Sequence, residues 1–280
     1  MPPETILPFF QKYIESELGI VYAEHNAFQL LNRLEEISKL LDVKGIEQLF
    51  ELAQKGIAGQ FRQLLLDVAT NNETSFFRDQ KVFSAIEKQV LQSFLDSTQG
   101  KKRFKIWSAA SSTGQEAMSL SILLNEYMKK TGTTFQFSIL GTDISTRVLE
   151  RAKKAEYTQL EVQRGLATPL LLKYFTKNQH DIWTVNTEIT KNISFRSQNL
   201  KEKFSFAESF DLILCRNVLI YQSVQGKIEI LKRITECLEP GGYLIMGSGE
   251  SLMGLSDCYR QSICDGAVVY QKLDKIGAVA

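Results

Sequence analysis

Residues 104–116, FKIWSAASSTGQE, decide the fold class of this chain. An apolar run of strand length leads into seven consecutive small residues, 108–114, and an amphipathic pattern of helix length follows. In an open α/β sheet, a turn of small residues before a helix N-terminus lets the backbone approach a nucleotide-like ligand. The spacing GxGxxG is absent, and such a turn can also serve only to pack the helix against the strand. The stretch therefore predicts a parallel sheet with a candidate ligand turn.

The sequence after residue 100 continues this alternation of strand and helix. Short apolar runs alternate with amphipathic stretches, which is the pattern of βαβ units around a parallel sheet. The predicted strands are 104–108, 135–140, 210–215 and 243–246. The predicted helices between them are about 114–130, 146–155 and 224–238.

The end of the chain resembles a β-hairpin. Two runs of strand length, 259–263 and 267–271, are joined across Asp265 and Gly266. We therefore expect an antiparallel terminal strand. This feature favours the methyltransferase variant of the Rossmann-like sheet over an ordinary dinucleotide fold.

Two regions depart from the alternation. From residue 3 to about residue 96, apolar residues recur at spacings of three and four, which predicts four or five short helices. Runs around 183–185 and 193–196 resemble strands inserted into the α/β unit. We predict an N-terminal all-helical domain at 1–75 and an α/β methyltransferase domain at 76–280, with a small inserted β-subdomain at about 176–198.

Composition restricts the partners. Lys and Arg number 33 against 32 Asp and Glu, so no global field draws the protein onto nucleic acid or an anionic membrane. Four cysteines without a CxxC pair and two histidines form no readable metal site. No secretory signal and no apolar run of about 18 residues is present. We expect a cytoplasmic monomer that neither inserts into a membrane nor binds nucleic acid.

Polar side chains follow two further predicted strands. Asp143 lies 29 positions beyond the glycine of the first turn, where an acidic residue accepts ribose hydroxyls. It could equally cap the helix that begins near Ser145. Arg216, Asn217 and Tyr221 follow the strand 210–215, at the edge of the sheet where ligands bind. Three polar residues there, beside the other two turns, favour a site over a structural strand end.

Two charged residues elsewhere are also candidates. Glu116 lies in the first turn of the predicted helix. Its negative charge there could interact favourably with the positive end of the helix dipole, or it could pair with a ligand ammonium group. Arg78 follows the paired aromatics Phe76 and Phe77 and offers a bidentate fork for a carboxylate. The aromatic pair could instead merely anchor a linker helix to the sheet domain.

Four motifs, in order and in register, resemble the CheR family of chemotaxis-receptor methyltransferases over roughly residues 30–271. They are NETSFFRD at 72–79, WSAASSTGQE at 107–116, GTDIS at 141–145 and CRNVLIY at 215–221. The resemblance implies S-adenosylmethionine as cofactor and S-adenosylhomocysteine as product. It also implies that methyl-accepting chemotaxis receptors are the protein partners.

The resemblance assigns the methionine end of the cofactor to Asn72, Thr74 and Arg78. Arg78 would hold the carboxylate of the cofactor, and Glu116 would hold its amino group. Asp143 would take the ribose.

The other end of the pocket is assigned in the same way. Asn199 and Leu200 would lie beside the adenine, and Arg216 and Asn217 would close the pocket around the adenine and the sulfonium. Tyr221 would lie next to the methyl group.

The implied reaction transfers a methyl group to glutamate side chains, giving glutamate methyl esters in sensory adaptation. A glutamate carboxylate, with a reference pKa of roughly 4.3, is ionised at neutral pH and needs no general base. Holding oxygen, methyl carbon and sulfur in line would supply most of the catalysis. Arg78 and Tyr221 are the predicted catalytic residues, since they would orient the acceptor.

The chain departs from the family pattern at three places. The first turn has Gly114-Gln115-Glu116-Ala117 where the family often has Gly-Glu-Glu-Pro, which keeps the second acidic position. Residues 29–70 hold five basic and six acidic residues, so we expect no docking by simple charge attraction, and Arg33 is the position to test. Residues 176–181 lack glycine, so we expect weak or absent binding of a receptor-tail peptide.

Three other functions compete with this one. The methyl acceptor could be a small molecule or RNA, although neutral charge and the lack of a basic aromatic groove disfavour RNA. A non-catalytic adaptor could bind S-adenosylmethionine without turnover. A nicotinamide oxidoreductase would share the sheet and the acidic residue, but the missing GxGxxG and the terminal hairpin disfavour it.

Overall fold

The computed structural model describes residues 3–22, 27–97 and 103–273. The helices are α1 (Pro3–Leu18), α2 (Ala27–Leu40), α3 (Gly45–Gln54), α4 (Gly59–Ala69), α5 (Gln80–Ala85), α6 (Gln92–Ser97), α7 (Gln115–Thr131), α8 (Thr146–Lys154), α9 (Gln159–Gln163), α10 (Thr168–Tyr174), α11 (Thr187–Thr190) and α12 (Val224–Cys237). A π-helical turn, Ile86–Leu91, joins α5 to α6, and a 3-10 turn, Leu219–Tyr221, precedes α12. The strands are β1 (Arg103–Ala109), β2 (Gln136–Asp143), β3 (Glu156–Thr158), β4 (Phe175–Lys177), β5 (Ile182–Val185), β6 (Ile193–Ser197), β7 (Phe210–Cys215), β8 (Leu238–Met246), β9 (Tyr259–Cys264) and β10 (Ala267–Lys272).

Seven strands form the main sheet, in the order β6-β2-β1-β7-β8-β10-β9. The first five are parallel to one another, and β10 is antiparallel to both of its neighbours. The predicted α/β sheet with an antiparallel terminal strand is therefore confirmed. Because β1 lies between β2 and β7, the carboxyl ends of these three strands meet where the chain changes direction, which is where open α/β sheets bind ligands.

Both faces of the sheet are covered, because alternate side chains of its central strands enter different clusters. Leu212 and Leu214 of β7 pack with residues of α5, the π-helical turn and α7. Ile213 and Cys215 pack on the opposite face with α12. All six residues of β7 are buried as a result, which explains why its sequence is apolar except for Asp211.

The N-terminal helices have a hydrophobic core of their own. Phe10, Leu34, Leu49 and Leu65, one from each of α1 to α4, are at most 1% exposed within one cluster. The helical character predicted for residues 3 to about 96 is confirmed, and α1 to α4 are the helices of this core. The proposed boundary at residue 75 falls in the segment between α4 and α5, and the division into two domains stays a prediction.

The strand predicted around 193–196 belongs to the main sheet and not to an inserted subdomain. This strand, β6, pairs in parallel with β2, and Gly141 lies opposite Phe195. Ile193 and Phe195 pack against the core of the main sheet, so pairing with the edge of β2 partly buries these two apolar side chains. A small separate sheet would leave them more exposed. The smaller sheet has the order β3-β5-β4 and includes β3, which lies outside the predicted limits of 176–198.

The start of β8 also differs from the prediction. The strand begins at Leu238, where the predicted helix was expected to end, and includes the Pro240-Gly241-Gly242 turn. Phe210 pairs with Leu238 and Leu212 pairs with Tyr243, so the residues between bulge out of the ladder.

Candidate active site

A cavity of about 990 Å³, open to solvent, lies at the carboxyl edge of β1, β2 and β7. All ten predicted site residues line it, although they come from separate stretches of the chain: Asn72, Thr74, Arg78, Glu116, Asp143, Asn199, Leu200, Arg216, Asn217 and Tyr221. The sheet order brings together the residues that follow β1, β2 and β7, and the segments before α5 and after β6 supply the others. The contacts of these residues with a ligand stay predictions.

Arg216 joins three of the four sequence motifs. Its side chain is 3% exposed, and its Nη1 donates to Glu116 Oε2 at 2.8 Å. Its Nη2 donates to Asp79 Oδ2 at 2.7 Å and to the carbonyl oxygen of Arg78 at 2.9 Å. A planar fork of donors suits this geometry better than an ammonium group would. Arg216 therefore organises the cavity wall in addition to lining it.

Glu116 lies in the first turn of α7, and its carboxylate is held at both oxygens. Oε1 accepts from Ser108 Oγ at 2.7 Å, and Oε2 accepts from Arg216. Gly114 at the start of the helix has φ of 90°, a conformation that glycine adopts without strain. An ionised carboxylate has about four lone-pair sites, so Glu116 keeps acceptor capacity for a ligand ammonium group.

Asp143 is the buried carboxylate at the end of β2. Oδ2 accepts from the backbone N–H of Ser112 at 2.9 Å, and Oδ1 accepts from that of Ser145 at 3.0 Å. Burial raises the pKa of Asp143, and the backbone hydrogen bonds partly oppose this rise. The cap of α8 is Ser145, whose side chain accepts from Val148 N, so Asp143 supports the helix start without being its cap. The interpretation of Asp143 as the helix cap is therefore wrong, and its role as an acceptor for ribose hydroxyls stays a prediction.

The segment 70–78 crosses from the helical domain to the cavity and is fixed at several points. Ser112 Oγ donates to the carbonyl oxygen of Asn72 at 2.8 Å, which ties this segment to the turn after β1. Arg78 Nη1 donates to the carbonyl oxygen of Glu73 at 2.8 Å, and the Glu73 carboxylate is paired with Arg164. Because one guanidinium carries five donors, Arg78 keeps capacity for a ligand carboxylate.

Asn199 and Leu200 lie where the end of α1 reaches the sheet domain. Asn199 Nδ2 donates to the carbonyl oxygen of Glu17 at 2.9 Å, and its Oδ1 accepts from the backbone N–H of Lys201 at 3.0 Å. The carbonyl groups at the C-terminal end of a helix have no partner within the helix, so Asn199 acts here as a cap from another domain. The contact also brings Leu18 into the cavity lining, which was not predicted.

Tyr221 is held by another lining residue of the cavity that the sequence did not single out. Asn71 Nδ2 donates to the Tyr221 hydroxyl at 2.8 Å. Because the phenol oxygen accepts this bond, its own proton is free to be donated elsewhere. The available signal was the position of Asn71 beside the NETSFFRD motif.

A second residue that was not predicted is Glu250. Its carboxylate accepts hydrogen bonds from the loop after β7 that carries Asn217 and Tyr221. The available signal was Gly247-Ser248-Gly249-Glu250, a small-residue turn with an acid directly after a strand of the same sheet edge.

Two buried polar atoms at the cavity have no partner among the described residues. They are Ser111 Oγ and Arg216 Nε, on residues that are 2% and 7% exposed. Buried polar atoms are nearly always hydrogen-bonded, so unpaired ones on a cavity wall fit a polar ligand that supplies the partner. The donor set also fits a zwitterionic cofactor, because guanidinium groups and carboxylates both line the cavity.

Arg33 points into the helical domain. Its Nη1 donates to the carbonyl oxygen of Ala69 at 2.6 Å and to the hydroxyl of Tyr22. Tyr22 donates to the same carbonyl oxygen at 2.7 Å. The guanidinium therefore has internal partners next to the start of the segment 70–78, which weakens the case for a docking role.

Across residues 3–22, 27–97 and 103–273, no group of three or more His, Cys, Asp or Glu side chains is arranged to hold a metal ion. Within the same ranges, no helix has the length and apolar character needed to cross a membrane.

Comparison with known proteins gives the same family along most of the chain. A family model described as "CheR methyltransferase, SAM binding domain" matches residues 72–267. The chain is 36% identical over 267 residues to chemotaxis protein methyltransferase Cher2 of Pseudomonas putida, covering 94% of this chain and 96% of that protein. It is 36% identical over 270 residues to chemotaxis protein methyltransferase 1 of Pseudomonas aeruginosa, with the same coverage. It is 34% identical over 266 residues to the chemotaxis protein methyltransferase of Vibrio parahaemolyticus, covering 94% of each chain.

These matches confirm the predicted family and the predicted cofactor, because the matching domain is named for its binding of S-adenosylmethionine. They span the four motifs and the strands that position them. The chain belongs to the CheR family of S-adenosylmethionine-dependent methyltransferases.

Proposed function

We propose that this protein transfers the methyl group of S-adenosylmethionine to glutamate side chains of chemotaxis receptors, giving glutamate methyl esters. The names of its relatives support the receptor as substrate. The observation that carries the proposal is the convergence of the ten predicted site residues, eight of them from the four motifs, on one cavity. We further propose that the protein works as a monomer in the cytoplasm.

The cofactor would be held by charge complementarity along the cavity. The Arg78 guanidinium would bind the carboxylate of the methionine part, and Glu116 would bind its ammonium group. Asp143 would accept from the ribose hydroxyls, since backbone N–H groups occupy only part of its acceptor capacity. Ser111 Oγ and Arg216 Nε would find their missing partners in the polar groups of the cofactor.

The chemistry requires orientation more than proton transfer. Bound S-adenosylmethionine supplies an electrophilic methyl group on a sulfonium. A glutamate acceptor is already ionised at neutral pH, and no histidine occurs among the described residues that line the cavity. The protein therefore needs to hold the carboxylate oxygen in line with the methyl carbon and to exclude competing water.

Tyr221 would orient the acceptor. It lines the cavity, and its hydroxyl accepts from Asn71, which leaves its proton available for a carboxylate oxygen. Arg78 lies across the same cavity and would hold the cofactor end in register.

The decisive experiment measures transfer of labelled methyl from S-adenosylmethionine to a membrane fraction that carries chemoreceptors. We expect label on receptor protein that base releases as methanol, which identifies a carboxyl methyl ester. Arg78→Ala should lose most of this labelling through weaker cofactor binding. Arg260→Ala, which removes an exposed arginine of edge strand β9, is the matched control and should label as the native chain does.

Other outcomes would redirect the proposal. Tight cofactor binding without labelling of any protein would favour a non-catalytic adaptor. Labelling of small molecules instead of receptors would favour another acceptor. Label that resists base would exclude a carboxyl ester.

A further inference from the structure

The carboxylate of Glu250 holds the loop that follows β7. It accepts hydrogen bonds from five backbone N–H groups, those of Asn217, Val218, Leu219, Ile220 and Gly247, at distances of 2.8 to 3.1 Å. Successive N–H groups that converge in this way form a concave site for an anion. The anion in this site is a side chain of the protein itself.

Two local features adapt the chain to this arrangement. Asn217 has φ of 57°, in the left-handed region that asparagine tolerates better than most residues. A Cβ on Gly247 would lie 2.8 Å from both Asn217 Nδ2 and Glu250 Oε2, so only glycine allows the two segments to approach this closely. The turn 247–250 is therefore shaped around the loop that its carboxylate holds.

The loop is held at several points, and Arg216 and residues 217–220 have different anchors. Arg216 is fixed by Glu116 and Asp79, which belong to other elements. Residues 217–220 are fixed by Glu250, and they lead directly into Tyr221. Loss of the Glu250 anchor would therefore loosen residues 217–220 while Arg216 stays paired. Tyr221 would keep the hydrogen bonds from Val21 N to its carbonyl oxygen and from Asn71 to its hydroxyl, but the backbone before it would no longer be fixed.

We propose that Glu250 is a positioning residue for methyl transfer, which acts through residues 217–220 on Tyr221. The proposal rests on the function proposed above, because Tyr221 matters only if an acceptor carboxylate meets it. Glu250 itself touches neither cofactor nor acceptor in this scheme.

Glu250→Gln is the test, because it keeps the size of the side chain and removes its ability to accept at both ends. One carboxylate oxygen accepts from two of the N–H groups and the other oxygen from three. In the glutamine, the amide NH2 group would replace one of these oxygens and would face donors that it cannot accept from. We expect kcat for receptor methylation to fall about 10- to 100-fold, the effect of a misplaced orienting group. The dissociation constant for S-adenosylhomocysteine should change less than about 3-fold, since Arg78, Glu116 and Asp143 keep their places.

Glu51→Gln is the matched control, because it makes the same chemical change at an exposed position of α3. It should retain native kcat. Equal kcat values for Glu250→Gln and Glu51→Gln would overturn the proposal. An equal loss of kcat and cofactor affinity would also overturn it, because that pattern indicates general unfolding of the site.

A double variant separates positioning from a merely structural role. If Glu250 acts through Tyr221, Glu250→Gln should add little to the loss of kcat already caused by Tyr221→Phe. Losses that multiply in full would contradict the proposal.

Amide hydrogen exchange distinguishes failure of this proposal from failure of the proposed function. If the native chain methylates no receptor, the proposed function is wrong, whatever the variants do. Exchange at residues 217–220 still tests the anchor, and it should be faster in Glu250→Gln than in Glu51→Gln while β1 is unchanged. Identical exchange in the two variants would overturn the anchor role.

Discussion

Replacing Arg216 with alanine should lower the stability of the fold as well as the activity. The side chain is 3% exposed and bridges α7 to the segment before α5 through Glu116 and Asp79. The variant would leave the Glu116 carboxylate, whose side chain is 13% exposed, without its cationic partner. It would also remove the donor to the carbonyl oxygen of Arg78.

The size of the effect follows from the burial of each partner. Removing one member of a buried ion pair costs about 3–5 kcal/mol, because the other charge stays buried and unpaired. The Asp79 side chain is 37% exposed, so water compensates most of that contact and it adds less than about 1 kcal/mol. We expect a loss of about 3 kcal/mol in the free energy of unfolding, near the lower end of the buried-pair range. For a chain of this size, that loss lowers Tm by roughly 6–12 °C.

Urea denaturation of the ligand-free protein measures this loss directly, with Arg260→Ala as control. The double variant Arg216→Ala, Glu116→Gln should lose at least about 1 kcal/mol less stability than the two single variants together, because no unpaired carboxylate is then left buried. A loss below about 0.5 kcal/mol for Arg216→Ala, a typical surface value, would refute the bridging role.

Three other changes probe the cavity and the small sheet. Burial raises the pKa of Asp143, so its carboxylate becomes protonated at a higher pH than an ordinary aspartate, whose pKa is about 3.9. Affinity for S-adenosylhomocysteine, measured by calorimetric titration, should therefore already fall as the pH decreases toward that value from above. Asp143→Asn should abolish this pH dependence. A pH profile shared by both proteins would contradict this assignment. Asn71→Ala should lower kcat about 10-fold, because it frees the Tyr221 hydroxyl, and should leave cofactor affinity unchanged. Equal losses of kcat and of cofactor affinity would instead indicate that Asn71 binds the cofactor. A receptor-tail peptide should show no saturable binding at the small sheet around residues 176–181, and tight binding in a fluorescence titration would show that the missing glycine is immaterial.

Much of the main sheet could be predicted because its signals are local. β7 is buried on both faces and is apolar except for Asp211, and the hairpin of β9 and β10 is marked by Asp265-Gly266. Asp143, Arg216, Asn217 and Tyr221 could be grouped because the strands before them end at one edge of the sheet. Asn72, Thr74, Asn199 and Leu200 were assigned only through the resemblance to the CheR family. Neither assignment needed knowledge of side-chain contacts.

The missed features depend on contacts between distant segments. β6 reads locally as a half-exposed strand, and only pairing with β2 assigns it to the main sheet. Asn71 and Glu250 gain their roles from hydrogen bonds to residues 150 and about 30 positions away in the chain. Backbone N–H donors are present in every residue type except proline. A carboxylate that binds them therefore cannot be recognised from the sequence around it or from the sequence of its partners.

The contacts of α1 make the N-terminal helices part of the candidate site. The last carbonyl groups of this helix accept from side chains of the sheet domain: Lys201 donates to Glu15 and Ser16, Asn199 to Glu17, and Gln222 to Leu18. Asn199 and Gln222 also line the cavity, as Leu18 does. Displacing α1 from these partners would thus expose helix carbonyl groups and open the cavity in one step. A protein that displaces α1 should therefore weaken cofactor binding to this cavity. Because coupling between two binding events is reciprocal, bound cofactor should weaken the binding of that protein by the same factor.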